Sequence, residues 1–146
     1  MGVVLLSDRT EDFRDDIAVT GIDLAVRYYK KFHPGHLRPE EIERLAGPAK
    51  REKFQILLCH SPLFFDACRK WGADLTLSGH FHGGTIRLPY LGGVMTPQFQ
   101  FFLPWCAGTF EENGKTMIVS RGLGTHSINI RLNNKPQLVV VDLKKK

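Results

Sequence analysis

The segment Phe54-Gln55-Ile56-Leu57-Leu58-Cys59-His60-Ser61-Pro62, continued by Ala73-Asp74-Leu75-Thr76-Leu77-Ser78-Gly79-His80-Phe81-His82-Gly83-Gly84, sets the architecture. Phe54–Cys59 is a nearly unbroken apolar run, the composition of a strand covered on both faces. Ser61 is placed to cap a helix that begins at Pro62. Phe64, Cys68 and Trp71 recur at helical spacing, Phe65 widens the stripe, and Gly72 suits the helix end. Asp74–Leu77 reads as the next strand. A strand–helix–strand unit of this kind leaves its two strands parallel. His60 then follows the first strand, and His80 and His82 follow the second.

Ligands of open α/β sheets bind beyond the carboxyl ends of the strands. Neutral imidazole is the commonest side-chain metal ligand, and the glycines around His80-Phe81-His82 free that backbone to turn. His60, His80 and His82 are therefore expected to converge as part of a metal site. His33 and His36, in a Pro/Gly loop, are expected to be solvated, and His126 is read as a surface residue. Cys59 and Cys68 lie in apolar stretches and read as small core residues.

Outward from this unit the chain predicts strands at Val3–Leu6 and Ile17–Leu24, the latter with Gly21 as a bulge and an acidic turn from Asp8 to Asp16 between them. A weak helix is expected over Ala25–Phe32. A second helix starts at Pro39, with acids at its positive end, and stops at Gly47-Pro48. Beyond Thr85 the pattern changes to short strands: Thr85–Leu88, a hairpin over Phe110–Ser120 around Asn113-Gly114, Ile128–Leu132 and Gln137–Leu143. The fold class is α/β, a parallel strand–helix–strand unit followed by a mostly antiparallel β region, with residues 1–146 as one domain.

The 146 residues suffice for a real core, and 42% apolar with 24% charged residues is ordinary for a globular domain. Three cysteines without paired spacing argue against a disulfide framework. No apolar run approaches the ~20 residues of a membrane-spanning helix, and Met1-Gly2-Val3-Val4-Leu5-Leu6 is too short for a signal peptide. The expected location is cytoplasmic or peripheral to a membrane. A net charge of +5 suits anionic substrates such as phosphates. Its basic residues are scattered, with no aromatic strand motif beside them, so nucleic acid is not expected as a partner. Phe99, Phe101, Phe102 and Trp105 form an apolar stretch that either packs over the sheet or touches a lipid or membrane surface.

The two histidine motifs quoted above, with Ile86-Arg87-Leu88-Pro89 and Val119-Ser120-Arg121-Gly122-Leu123-Gly124-Thr125, resemble the last two motifs of calcineurin-like metallophosphoesterases and their bacterial single-domain branch. The resemblance runs over nearly all of the chain. It implies a partial metallophosphoesterase sandwich and the hydrolysis of phosphate mono- or diesters. It also implies two divalent cations (manganese, iron or zinc) sharing a bridging carboxylate, with His60 and His80 on one metal and His82 on the other. The family's earlier Asp-x-His, Gly-Asp and Gly-Asn-His motifs do not occur here, and Asp8 lacks the following histidine. The chain thus corresponds to the C-terminal portion of such an enzyme and carries a partial site, with no catalytic acid or base assigned. The competing expectation is a catalytically inactive module that keeps the fold and binds a lipid or protein.

Overall fold

The computed structural model describes residues 2–30, 35–84, 86–88, 92–95, 105–124 and 131–145, with backbone alone for 86–88 and 92–95. Among them the strands are β1 (Arg9–Arg14), β2 (Ile17–Gly21), β3 (Phe54–Leu58), β4 (Leu75–Ser78), β5 (Ile86–Leu88), β6 (Gly92–Met95), β7 (Gly108–Glu112) and β8 (Lys115–Val119). The α-helices are α1 (Pro39–Ala46) and α2 (Phe65–Trp71). Six strands form one mixed sheet in the order β1-β2-β3-β4-β8-β7, and β5 pairs with β6 apart from it. The pairs β2–β3, β3–β4 and β4–β8 are parallel, with the antiparallel strands β1 and β7 at the two edges.

The strand–helix–strand unit stands as the apolar run predicts. One face of the sheet meets the helices. Leu57, Cys59, Ile42, Phe64, Cys68 and Trp71 pack there with Ile22, Leu24, Tyr28 and Leu37. The helix stripe and the strand run thus meet in one core, and Cys59 and Cys68 are buried free thiols inside it. Beside Cys59, burial and a thiol–thiol hydrogen bond hold the Cys68 thiol well above its ordinary range. Of the polar groups buried there, Gln55 donates from Nε2 to Thr20 Oγ1 at 2.7 Å and accepts from the Lys50 amide at 3.2 Å, while the Thr76 hydroxyl has no partner among the described residues. Asp74 closes the amino edge of the sheet, accepting from the Gln55 amide (2.7 Å) and from Lys115 Nζ (2.6 Å).

The other face of the sheet is aliphatic. Register sets Leu58, Leu77 and Ile118 side by side, and Ile56 beside Leu75. No helix among the described residues covers it. Val139 and Val141 of the last segment line a hollow together with Leu77, Ile118 and Leu138, while Leu138 and Val140 are 79% and 85% exposed.

Several local expectations change. Val3–Leu6 is not a strand, and Val3, Val4 and Leu5 are exposed. The edge position beside β2 is taken by the charged Arg9–Arg14, paired through a two-residue turn at Asp15-Asp16. An edge strand tolerates charge because one side meets water. Here Asp12 pairs with Lys50 and Lys53, which hold its carboxyl below the usual range, and Thr10 bonds Thr20 at 2.7 Å. Gly21 ends β2 in unbroken register instead of forming a bulge. A Cβ there would lie 2.3 Å from the Leu6 carbonyl oxygen, so close approach of two backbones explains the glycine. The Ala25–Phe32 helix shrinks to a 3₁₀ turn at Val26–Tyr29, Phe32 lying outside the described residues. Ser61 makes no side-chain cap; a 3₁₀ turn at Pro62–Phe64 leads into α2 instead.

The helix from Pro39 to Ala46, its end at Gly47 and the Asn113-Gly114 hairpin are as expected, both turn residues being left-handed at φ 52° and 73°. Ile128–Ile130 lie outside the described residues. Gln137–Leu143 carries a strand's alternation but forms no ladder. No helix among the described residues is long and apolar enough to cross a membrane.

Leu57 is fully buried at the centre of the helix-side core. Leu57→Ala is expected to lower the unfolding free energy by about 3 kcal/mol, the usual cost of a buried leucine cavity. Urea denaturation checks this, and a loss under ~1 kcal/mol would contradict the packing described.

Candidate metal centre

The carboxyl edge of the parallel strands gathers the loop residues of interest. Ile22-Asp23 leaves β2, Cys59-His60 leaves β3, Gly79-His80-Phe81-His82 leaves β4, and Ser120-Arg121-Gly122 leaves β8. Backbone and side-chain bonds join these loops beyond the strands themselves. The Gly79 amide donates to the His60 carbonyl (3.0 Å), Ser78 Oγ to the Cys59 carbonyl (2.8 Å), and the Ser120 amide to the Ser78 carbonyl (2.9 Å).

This stitching brings His60 and His80 together. Their rings are 4.9 Å apart between centroids, edge to face. Tyr29 completes the group, its ring 5.9 Å from His60 and 5.3 Å from His80. The three side chains and Asp23 line one hollow of about 390 Å³. Phe81, with no exposed surface, anchors the loop between the histidines from below.

His82 is set differently. Its Nδ1 lies toward Gly122, 3.9 Å from where a Cβ of that residue would stand, so it faces the β8 loop. Among the described residues no three His, Cys, Asp or Glu side chains are spaced to share a metal ion. Among the described residues, His60 and His80 therefore stand together without a third such side chain, and a complete dinuclear centre does not fit them. His80 (φ 63°) and His82 (φ 50°) are both left-handed. A non-glycine residue holds that conformation at a cost of about 1–2 kcal/mol, and such outliers cluster at functional sites.

Two rim residues escape a search for histidines. Asp23 follows β2 as His60 follows β3, so strand-end logic alone points to it. Its amide is held by Asp8 Oδ1 at 2.8 Å, which gives Asp8 a structural place at the rim. Tyr29 had no such signal, since it reaches the site through a 3₁₀ turn within a weak helical pattern. His36 is exposed as expected, while His33 and His126 lie outside the described residues. Phe99, Phe101 and Phe102 also lie outside them. Trp105 is half-buried against Phe65, Met117 and Val119, so at this position the apolar stretch packs on the sheet instead of meeting lipid.

No family model matches the chain, and no solved structure matches it. Curated relatives do. An uncharacterized metallophosphoesterase of Bacillus subtilis, YkuE, is 37% identical over 94 residues, which is 62% of this chain and 31% of that protein. An uncharacterized metallophosphoesterase of Aquifex aeolicus is 36% identical over 108 residues, 73% of this chain and 39% of its own length. The chain is related to the calcineurin-like metallophosphoesterases. The phosphodiesterase YaeI of Escherichia coli, 29% identical over 89 residues, covers 61% of this chain with 32% of its length. The chain spans about a third to a half of the length of the curated relatives it matches.

Burial pushes the Tyr29 hydroxyl up to about 12, with repulsion from Cys59 and Asp23 adding to it. The folded chain therefore keeps this proton after the unfolded chain has lost it near pH 10. Stability drawn from Tyr29 is present below pH 10 and is lost as pH rises toward 12. Tyrosinate absorbance should show a late-titrating step that Tyr29→Phe removes. A profile unchanged by the substitution would contradict the placement of this ring.

Proposed function

We propose that the chain supplies the histidine-rich half of a metal-dependent phosphoesterase site, acting on phosphate mono- or diesters together with a carboxylate-bearing portion it does not itself contain. The observation that carries this reading is the His60–His80 ring pair at the carboxyl edge of the sheet, in a chain related to metallophosphoesterases. His60 and His80 would hold one cation and His82 contribute to a second. When bound, such cations (manganese, iron or zinc by the donor type) activate water and neutralise charge on phosphoryl oxygens.

The chain's own residues have distinct parts in this. Stitched loops hold the two imidazoles at a fixed separation, which lowers the ordering cost of binding. The Tyr29 ring walls the pair on one side and, being protonated across the physiological range, adds no charge. Among the described residues that line the hollow, Asp23 is the one acid. Neutral imidazoles contribute no charge to offset a second dication, so the chain alone should bind a single ion weakly.

Isothermal titration of the chain with manganese and with zinc tests this. The expected result is one weak site per chain, at least tenfold weaker in a His60→Ala/His80→Ala/His82→Ala variant. Equal binding by the triple variant would sink the proposal. Hydrolysis of bis(4-nitrophenyl) phosphate by the chain alone should stay at the level of the metal salt.

A further inference from the structure

Asn134 is far in sequence from the histidine turn, yet it is bound into its backbone. It is 2% exposed, and its Nδ2 donates to the carbonyl of His82 and to that of Gly84, each at 2.6 Å. Its Oδ1 has no hydrogen-bond partner, so both amide protons and nothing else are engaged. The turn it grips is left-handed at His80, His82, Gly83 (φ 74°) and Gly84 (φ 88°), and it is closed locally by the Gly84 amide on the Phe81 carbonyl at 2.8 Å. The Phe81 amide also bonds the Gly79 carbonyl at 2.7 Å within the turn, and Asn134 adds a constraint from outside it.

The surroundings of Asn134 are themselves tied to the carboxyl edge. Arg131 donates from Nη2 to the Arg121 carbonyl at 3.0 Å, and the Gln137 amide donates to the Gly122 carbonyl at 3.0 Å. The Arg121 side chain fills the space over Gly83, where a Cβ would come within 2.5 Å of its Cγ. The loop after β8 and the segment 131–137 therefore close on the His82-Gly83-Gly84 backbone from two sides.

We infer that Asn134 is a positioning residue for His82: its two donated hydrogen bonds fix the left-handed backbone from which that imidazole is presented at the sheet edge. This rests on the reading of His82 as a metal ligand. It assigns a part in the site to the segment 131–137, which carries no His, Cys, Asp or Glu. Asparagine suits the task because one planar amide carries two protons on a single nitrogen, able to reach two carbonyls at once.

The test uses the whole chain with labelled histidine rings and backbone amides, and the variant Asn134→Asp. The substitution keeps the shape but turns oxygen toward both carbonyls. Without metal, the variant is expected to exchange the Gly84 amide at least tenfold faster and to shift the His82 ring signals, with those of His60 and His80 unmoved. On addition of zinc, which is diamagnetic, ring shifts should centre on His60 and His80 in the natural chain and in the variant alike.

Unchanged Gly84 exchange and His82 signals would overturn the inference, and so would equal shifts at all three histidines, the mark of general loosening. Absence of zinc-induced shifts at His60 and His80 in the natural chain would defeat the metal reading instead, leaving the metal-free arm to judge Asn134. Should Asn134→Asp fail to fold, Asn134→Ser, which retains one donor, is expected to show the same selective pattern at reduced size. A folded serine variant indistinguishable from the natural chain would equally overturn the inference.

Discussion

The parallel pairing of Phe54–Leu58 with Leu75–Ser78 continues past the ends of both strands, and the geometry of the rim depends on that continuation. The Cys59 amide bonds the Leu77 carbonyl at 3.1 Å, and the Gly79 amide bonds the His60 carbonyl at 3.0 Å. The two loops therefore leave the sheet as a joined pair. Their first side chains, His60 and His80, emerge as neighbours because their backbones are neighbours. Beneath them Phe81 is buried, so the loop after β4 is anchored by apolar contact at its middle while its two histidines flank the anchor. An apolar residue between two polar ones in a tight turn makes this division of labour possible.

The same pairing explains the asymmetry of the molecule. Strands buried on both faces read as continuous apolar runs, and Phe54–Leu58 is such a run. Only one of its faces meets helices here. On the other, Phe54 and Leu58 remain 41% and 36% exposed beside Leu77 and Ile118. Val139 and Val141 line a hollow beside that row without joining a ladder. The sequence is thus written for more cover than the described residues provide.

How much of this the sequence foretold depends on the kind of signal each element carries. β3, α2 and β4 were legible because burial on both faces and helical periodicity leave strong apolar patterns. Pro39, Gly47 and Asn113-Gly114 were legible because their backbone requirements are local. β1 was hidden by Arg9, Glu11, Asp12 and Arg14, whose charges suit an edge and mask alternation. Val3–Leu6 and Gln137–Leu143 misled in the opposite direction, since an apolar run becomes a strand only when a neighbour supplies its hydrogen bonds. At the site, the meeting of His60 and His80 followed from strand order alone. The different setting of His82 and the approach of Tyr29 and Asn134 did not, because each depends on tertiary contacts of loops that carry no periodic signal.

Charge decides how much of a metal centre the chain can hold by itself. Two unit charges 4 Å apart interact by about 4 kcal/mol at an effective dielectric of ~20, so two dications at that spacing repel by about 16 kcal/mol. Neutral imidazoles supply lone pairs but no countercharge. Asp23 brings a single carboxylate to the rim of the hollow, and Tyr29 stays neutral. One negative charge at the rim, with no carboxylate placed between two ions, leaves most of that repulsion standing. A single ion faces no such repulsion, and the imidazoles of His60 and His80 are neighbours, 4.9 Å apart between ring centroids. On the proposed reading, the electrostatics therefore favours one cation over two at these residues, with a second ion dependent on acidic groups from elsewhere.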